Sequence, residues 1–322
     1  MSEDTIKIIK NKYFTTKAKI KQLFKSSDPL IDEEVEKAVS NIFNSSNWTY
    51  PDTRTIIDEP LMTKEFDGSS GYYSRQSAPV MNFVAQSPIF NANRSNEIQI
   101  HTQKIDNWEY KVVGRPLCQT SFYIYVSLLA KFQNDESALI TYKLRDLAKD
   151  CGVNMTNFSK TSYQDNFEEK LKRLINTYFI VKDDKGEQYF FRLIGELEVS
   201  TNNDEKEFEC SLDGVFVDLY KQKTSSITVY SVDTFNGVKG DYTKHFYRYF
   251  LAATSKKYKN FSKRRNCLID IMAMSHLDNK YQNKNLNSSL RSLESSGFIK
   301  YSENKAANKN HNYTVTVIKR IH

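Results

Sequence analysis

Apolar positions recur at helical spacing in two stretches of the chain that share one skeleton. Phe167, Leu171, Leu174, Phe179 and Ile180 correspond without a gap to Leu286, Leu290, Leu293, Phe298 and Ile299, about 119 residues later. An i, i+4, i+7 stripe running into a β-branched and aromatic stretch predicts a helix that delivers the chain into a strand. In the helix before it, Leu144, Asp146 and Leu147 pair with Leu268, Asp270 and Ile271.

The elements around each stripe follow one order. In the first copy, "CQTSFYIYVSLLAKFQ" predicts a helix, "ALITY" a strand, "KLRDLAKDCG" a second helix stopped by Gly152, and "YQDNFEEKLKRLINT" a third. "YFIVKDDKGEQYFFRLIGELEV" then reads as a hairpin around Asp184, Lys185 and Gly186. The second copy repeats this with "DYTKHFYRYFLAATSKKY", "SKRRNCLIDIMAMS", "NKNLNSSLRSLESSG" and the hairpin "FIKYSENKAANKNHNYTVTVIKR". Helix, strand, helix, helix, hairpin is the order of a winged-helix domain, the helix-turn-helix variant whose hairpin forms a wing. The fold expected is therefore α+β, with two tandem winged helices and an N-terminal helical and linker extension. Its divisions fall at residues 1–44 (helical), 45–96 (linker or arm), 97–235 (first winged helix) and 236–322 (second).

Outside the copies the pattern is plainer. "DPLIDEEVEKAVSNIF" predicts a helix with Asp28 as N-cap and Pro29 at its first position, preceded by an amphipathic helix over residues 4–27. Residues 45–96 are dense in Ser, Asn, Gly and Pro, without a sustained period. "EIQIHTQKIDNWEYKVVG" alternates about Asp106 and Asn107 as a hairpin. "FECSLDGVFVDLYKQKTSSITVYSVDTF" supplies a strand, a short helix and a strand that join the copies rigidly.

Charge changes the picture more than composition does. The formal net charge is +7, yet from Asp241 onward there are about 16 Lys and Arg against 5 Asp and Glu, leaving roughly −4 for everything before. The C-terminal unit is built to meet a polyanion, the alternative being a lysine-rich solvated surface. No window of about 18 apolar residues is present, which argues against a membrane partner. Four dispersed cysteines, with no CxxC pair, fit a reducing cytoplasm.

Winding the last third helix places Lys284, Ser288, Arg291 and Ser295 opposite its apolar stripe, a face without an acid. Lys280, Gln282 and Asn285 extend that candidate DNA-reading set. Lys263, Arg264 and Arg265 open the second helix as phosphate contacts, and Lys305 and Lys309 tip the wing. The first copy exposes a mixed face, Asp165, Glu169, Lys172 and Asn176, that partly repels DNA. Its contribution is expected from Asn157, Lys160 and Gln164, with Lys172.

These residues together resemble a family. "SPIFNANRS", a hairpin, "GRPLCQTSFYIYVSLL", "HFYRYFLAATSKKY" and "SSLRSLESSGFI" look like the TrfA-type plasmid replication initiators, relatives of the RepA and RepE initiators. Gly114, Leu117 and Gln119 match the family element before the first long helix, and Leu293, Gly297 and Ile299 the one before the wing. The resemblance implies binding to direct repeats (iterons) of double-stranded origin DNA, opening of adjacent AT-rich DNA with single-stranded contacts, and recruitment of host helicase or its loader and the sliding clamp. It further implies a homodimer through the hairpin at residues 97–113; no cofactor is expected. Gln22, Leu23 and Phe24 in "KQLFK" resemble the peptides with which bacterial initiators hold the clamp. A winged-helix transcription regulator and a DnaD-like primosome protein are alternatives.

Catalytic readings find little support. No histidine has a partner two residues away, as a metal-dependent nickase requires, and no Gly-rich loop with a following Lys cradles phosphate. His245 and His276 read as packed or solvated helical residues rather than metal ligands. A non-enzyme is expected.

Overall fold

The structure, a computed structural model, describes residues 32–45, 77–91, 95–105, 108–135, 139–202, 205–221, 227–254, 260–304 and 314–319. The helix expected at 4–27, and with it Gln22, Leu23 and Phe24, lies outside them.

The second winged helix is the simpler unit. Helix α9 (Asp241–Ala253) leads to strand β10 (Asn260–Arg264), helix α10 (Arg265–Ile271), helix α11 (Asn279–Ser295) and a hairpin of β11 (Ile299–Asn304) and β12 (Thr314–Lys319). The three strands form one antiparallel sheet in the order β10, β12, β11. The sequence pattern predicts one helix from Ser262, whereas Ser262, Lys263 and Arg264 pair with Thr316, Val315 and Thr314. The strand forms there because Phe261 can bury among Phe246, Tyr249 and Phe250 of α9.

In the first unit, helix α3 (Gln119–Asp135) is followed by β4 (Leu139–Lys143), α4 (Leu144–Asp150), a single turn α5 (Met155–Phe158) and α6 (Thr161–Ile175). Here the expected wing moves. The hairpin of β5 (Tyr178–Lys182) and β6 (Gln188–Arg192) forms, turning at Gly186 with a φ of 85°. It joins β2 (Gln99–Ile105) and β3 (Trp108–Gly114) in a four-stranded sheet ordered β2, β3, β5, β6. The wing is the next hairpin, β7 (Glu196–Asn202) with β8 (Glu205–Ser211), because β8 pairs with β4. Aromatic burial explains the exchange: Phe179 and Phe191 stack on each other and close on Phe83, while Tyr142 of β4 stacks on Phe208 of β8.

Residues 77–91 correct the expected linker. Strand β1 (Ser77–Met81) pairs with β9 (Ile227–Ser231), and the short helix α2 (Asn82–Gln86) is buried throughout. Tyr220 of helix α7 (Gly214–Lys221) donates to the Pro79 carbonyl at 2.7 Å and accepts from Gln133 at 2.6 Å. Arg248 of α9, with no exposed surface, donates to the carbonyls of Ala85, Ser87 and Phe90, its guanidinium about 5 Å from the ring centres of Phe90 and Phe122. Burial lowers its pKa to about 9. One arginine of the second unit thus satisfies the carbonyls where the segment turns beneath the first.

The interiors of the two units are continuous. Phe122 of α3 meets Tyr230 and Phe235, Phe235 of helix α8 (Val232–Asn236) meets Tyr247 of α9, and Tyr247 meets Phe298. Each such pair adds roughly 0.5–1.5 kcal/mol beyond area burial, so the joint resists opening.

Helix α1 (Glu33–Ser45) packs Val35, Val39, Ile42 and Phe43 on Val113, Tyr178 and Ile180 of the four-stranded sheet. Its N-cap is Asp32, not Asp28: the Asp32 carboxylate accepts from the amides of Glu34 and Val35. Arg115 bridges Asp32 and Glu34, which fixes the helix start four residues later than its sequence pattern suggests.

Candidate nucleic-acid interface

Helix α11 turns Lys280, Tyr281, Lys284, Ser288, Arg291 and Ser295 outward, while Leu286, Leu290 and Leu293 are fully buried. The exposed stripe carries no acid, as the winding of the sequence predicts, and Asn285 borders it half-buried. Lys263 and Arg264, both exposed, end β10 just before α10. The Lys263 ammonium lies 5.9 Å from the Phe261 ring centre. Lys305 and Lys309 lie outside the described residues.

Two expected contacts lie inside the unit. Arg265 is buried and donates to the side-chain oxygens of Asn283 at 2.7 Å and Gln282 at 3.2 Å. Gln282, also buried, donates its amide to the carbonyls of Met274 and Leu277 in the turn between α10 and α11. Neither side chain reaches a ligand on the outer face; together they brace the helix-turn-helix. The reason lies in the register. Helix α4 buries Leu144, Leu147 and Ala148, and α10 buries Arg265, Leu268 and Ile269. The helices also end alike, Val153 donating to Ala148 and Met274 to Ile269. Arg265 therefore takes the place of Leu144, and the pairing of Leu144 with Leu268 in the sequence was three residues out.

In the first unit, α6 carries acids, but each is paired. Asp165 and Glu168 bind Lys206 at 3.0 and 2.7 Å, Glu168 also binds Lys172 at 2.8 Å, and Glu169 binds Arg173 at 3.1 Å. These pairs hold the Glu168 carboxyl below its ordinary value although burial pushes it the other way. Lys172 is thus held by Glu168. Asn176, expected on the exposed face, is buried: it accepts from the Asp32 amide and donates to the Lys172 carbonyl. Gln164 donates to the Phe158 carbonyl at 3.2 Å, Asn157 is half-buried in α5, and Lys160 stands exposed before α6.

Sequence reasoning missed the cleft beside these residues, about 130 Å³, whose lining includes Lys143, Arg145, Lys206 and Gln164 over Met155 and Phe158. Lys143 ends β4 as Arg264 ends β10, so topology gives both units a cation at the strand-to-helix corner. It missed Tyr281 as well, which the acid-free helical stripe could have included. Among the described residues no cluster of His, Cys, Asp and Glu could hold a metal ion. His245 is fully buried between the Ile271 carbonyl and Arg248; burial, with that charge, lowers its pKa to about 3. Among these residues no helix is long and apolar enough to cross a membrane.

Fold and surface thus define a tandem winged-helix protein in which the third helix of the second unit presents an acid-free, cationic stripe. The family described as Initiator Replication protein, WH1, matches residues 91–251, and the chain belongs to that family: it is a replication initiator. The matched span covers the first unit and runs to the body of α9. No curated protein matches the chain in sequence. Among solved structures it is similar to domains 2-3 of RctB, at 9% identity and a TM-score of 0.48, covering 74% of this chain and 97% of that one. It is also similar to the Pi initiator protein in complex with iteron DNA, at 11% identity and a TM-score of 0.41, covering 57% of this chain and 82% of that one.

Proposed function

We propose that this chain is a plasmid or phage initiator that binds directly repeated duplex sequences at a replication origin, both winged helices engaging the same duplex. The observation that carries the reading is the acid-free stripe of Lys280, Lys284, Ser288 and Arg291 on α11, in a protein of the initiator family. A helix of this kind enters the major groove, which it reads by hydrogen bonds to base edges. Lys263 and Arg264, with Lys305 and Lys309 that follow β11 in sequence, suit phosphates, and Lys143, Arg145 and Lys160 are their counterparts in the first unit. Lys284 and Arg291 suit guanine edges, and Asn285 an adenine edge.

On this reading the protein acts by binding and bending rather than by bond-breaking chemistry of its own, in the cytoplasm. Opening of AT-rich DNA, homodimer formation, and recruitment of host helicase and of the sliding clamp, the last through Gln22, Leu23 and Phe24, complete the proposal.

Nuclease footprinting on the DNA flanking its gene tests it. The expected result is an array of protected direct repeats beside an AT-rich segment. A single promoter-proximal footprint would instead make the protein a transcription regulator, and a covalent adduct through a tyrosine would make it a nickase.

A further inference from the structure

Tyr281 lies in the first turn of α11, 53% exposed, at the edge of the acid-free stripe with Lys280 and Lys284 to one side of it. An aromatic ring left in water gives up the burial energy that tyrosines gain elsewhere in this core. A second observation concerns the same turn. The residues that follow, Gln282 and Asn283, both accept from the buried Arg265 guanidinium, and Gln282 anchors the preceding turn through Met274 and Leu277. The first unit fills that position with Leu144, an apolar side chain that needs no partners. A buried polar bracket specifies one geometry where an apolar contact tolerates several, and here it fixes the backbone that carries Tyr281.

Resting on the DNA-binding reading above, we infer that Tyr281 is a base-reading residue whose ring packs on a thymine 5-methyl group in the major groove, with Arg265 as its positioning residue. The N-terminal residues of a recognition helix are those that meet base edges, and the methyl is the apolar feature there that distinguishes thymine. A ring beside two lysines suits that place: Lys280 and Lys284, both on one side of it, hold phosphates while the ring covers the methyl. Tyr163, 47% exposed in the first turn of α6, supplies an internal control. With the buried stripes superposed it falls at the position of Gln282, one residue out of step with Tyr281.

The experiment uses the full chain and a duplex it selects from a random-sequence pool, with deoxyuridine replacing thymine one position at a time. Loss of the critical methyl is expected to weaken wild-type binding about fourfold, the worth of one methyl group taken out of water. Tyr281→Ser should bind the thymine duplex more weakly by a similar factor and be indifferent to deoxyuridine there. Tyr281→Phe should behave as wild type, and Tyr163→Ser should keep the wild-type penalty. Arg265→Leu, which restores the residue type of the first unit, should fold yet lose most of the discrimination. The inference is overturned if no position responds to deoxyuridine, if Tyr281→Ser retains the penalty, or if Tyr281→Phe loses as much as Tyr281→Ser, which would place the hydroxyl on a phosphate. Failure of the wild type to prefer its selected duplex over a scrambled one would instead remove the DNA-binding reading itself.

Discussion

Arg264 and Arg265 are adjacent in sequence and opposite in role. The first ends a strand with its side chain in solvent; the second begins a helix with its guanidinium inside. Substituting each by alanine should separate the two. Arg264→Ala removes one phosphate neutraliser, so affinity should fall on every sequence and the salt dependence should flatten by about one unit of slope. Arg265→Ala leaves Gln282 and Asn283 without their donor, roughly 1–3 kcal/mol of destabilisation, with the slope unchanged. Titrations at several salt concentrations, with thermal melts alongside, measure both; a flattened slope for Arg265→Ala would return it to the phosphate set. The basic run was legible in the sequence, but its division into surface and interior was not. Apolar residues three apart look alike after a slip of three, so Leu144 aligned with Leu268, and Arg265 had no apolar counterpart to reveal its burial.

At the scale of elements, the periodic helices were legible because their stripes alone dictate burial, whereas residues 77–91 were not. Their five-residue strand and five-residue helix carry no period, and what orders them comes from far along the chain: pairing with β9 and the guanidinium of Arg248. The wing was misplaced for the same reason, since only pairing to β4 distinguishes one hairpin from the next. Helix α1 has its own signature in Glu36. Burial against the sheet raises its pKa to about 7, outweighing the opposing charge of Arg192, and Glu33 and Asp32 add to the rise. A carboxyl raised on folding contributes stability that is complete below its ordinary value and lost as pH climbs through the folded one. Docking of α1 should therefore weaken as pH rises from about 4.5 to about 7 and change little above that, read as falling amide-exchange protection of residues 35–43. Glu36→Gln should make that protection independent of pH, and an unaltered pH profile in the variant would reassign the effect to another group.

The whole molecule divides its charge unevenly, and the consequence is sharper than a simple sum suggests. The sequence places the surplus of cations in the second unit and implies that the mixed face of α6 repels DNA in part. Pairing alters this: Lys206, brought in on the wing strand β8, lies against both Asp165 and Glu168, so the wing neutralises the helix. Side-chain pairing of this kind depends on strands some 40 residues downstream and has no sequence period to announce it. These are partly exposed pairs, worth little to stability on their own. Their importance is to the field that an approaching phosphate meets. Lys206→Ala should thus leave the melting temperature nearly unchanged while weakening DNA binding several-fold at low salt, the loss fading as salt screens the freed carboxylates. Adding Asp165→Asn should recover much of the affinity. If the double variant binds no better than Lys206→Ala alone, Lys206 contacts DNA itself and the first unit grips the duplex through its wing rather than tolerating it through neutralised acids.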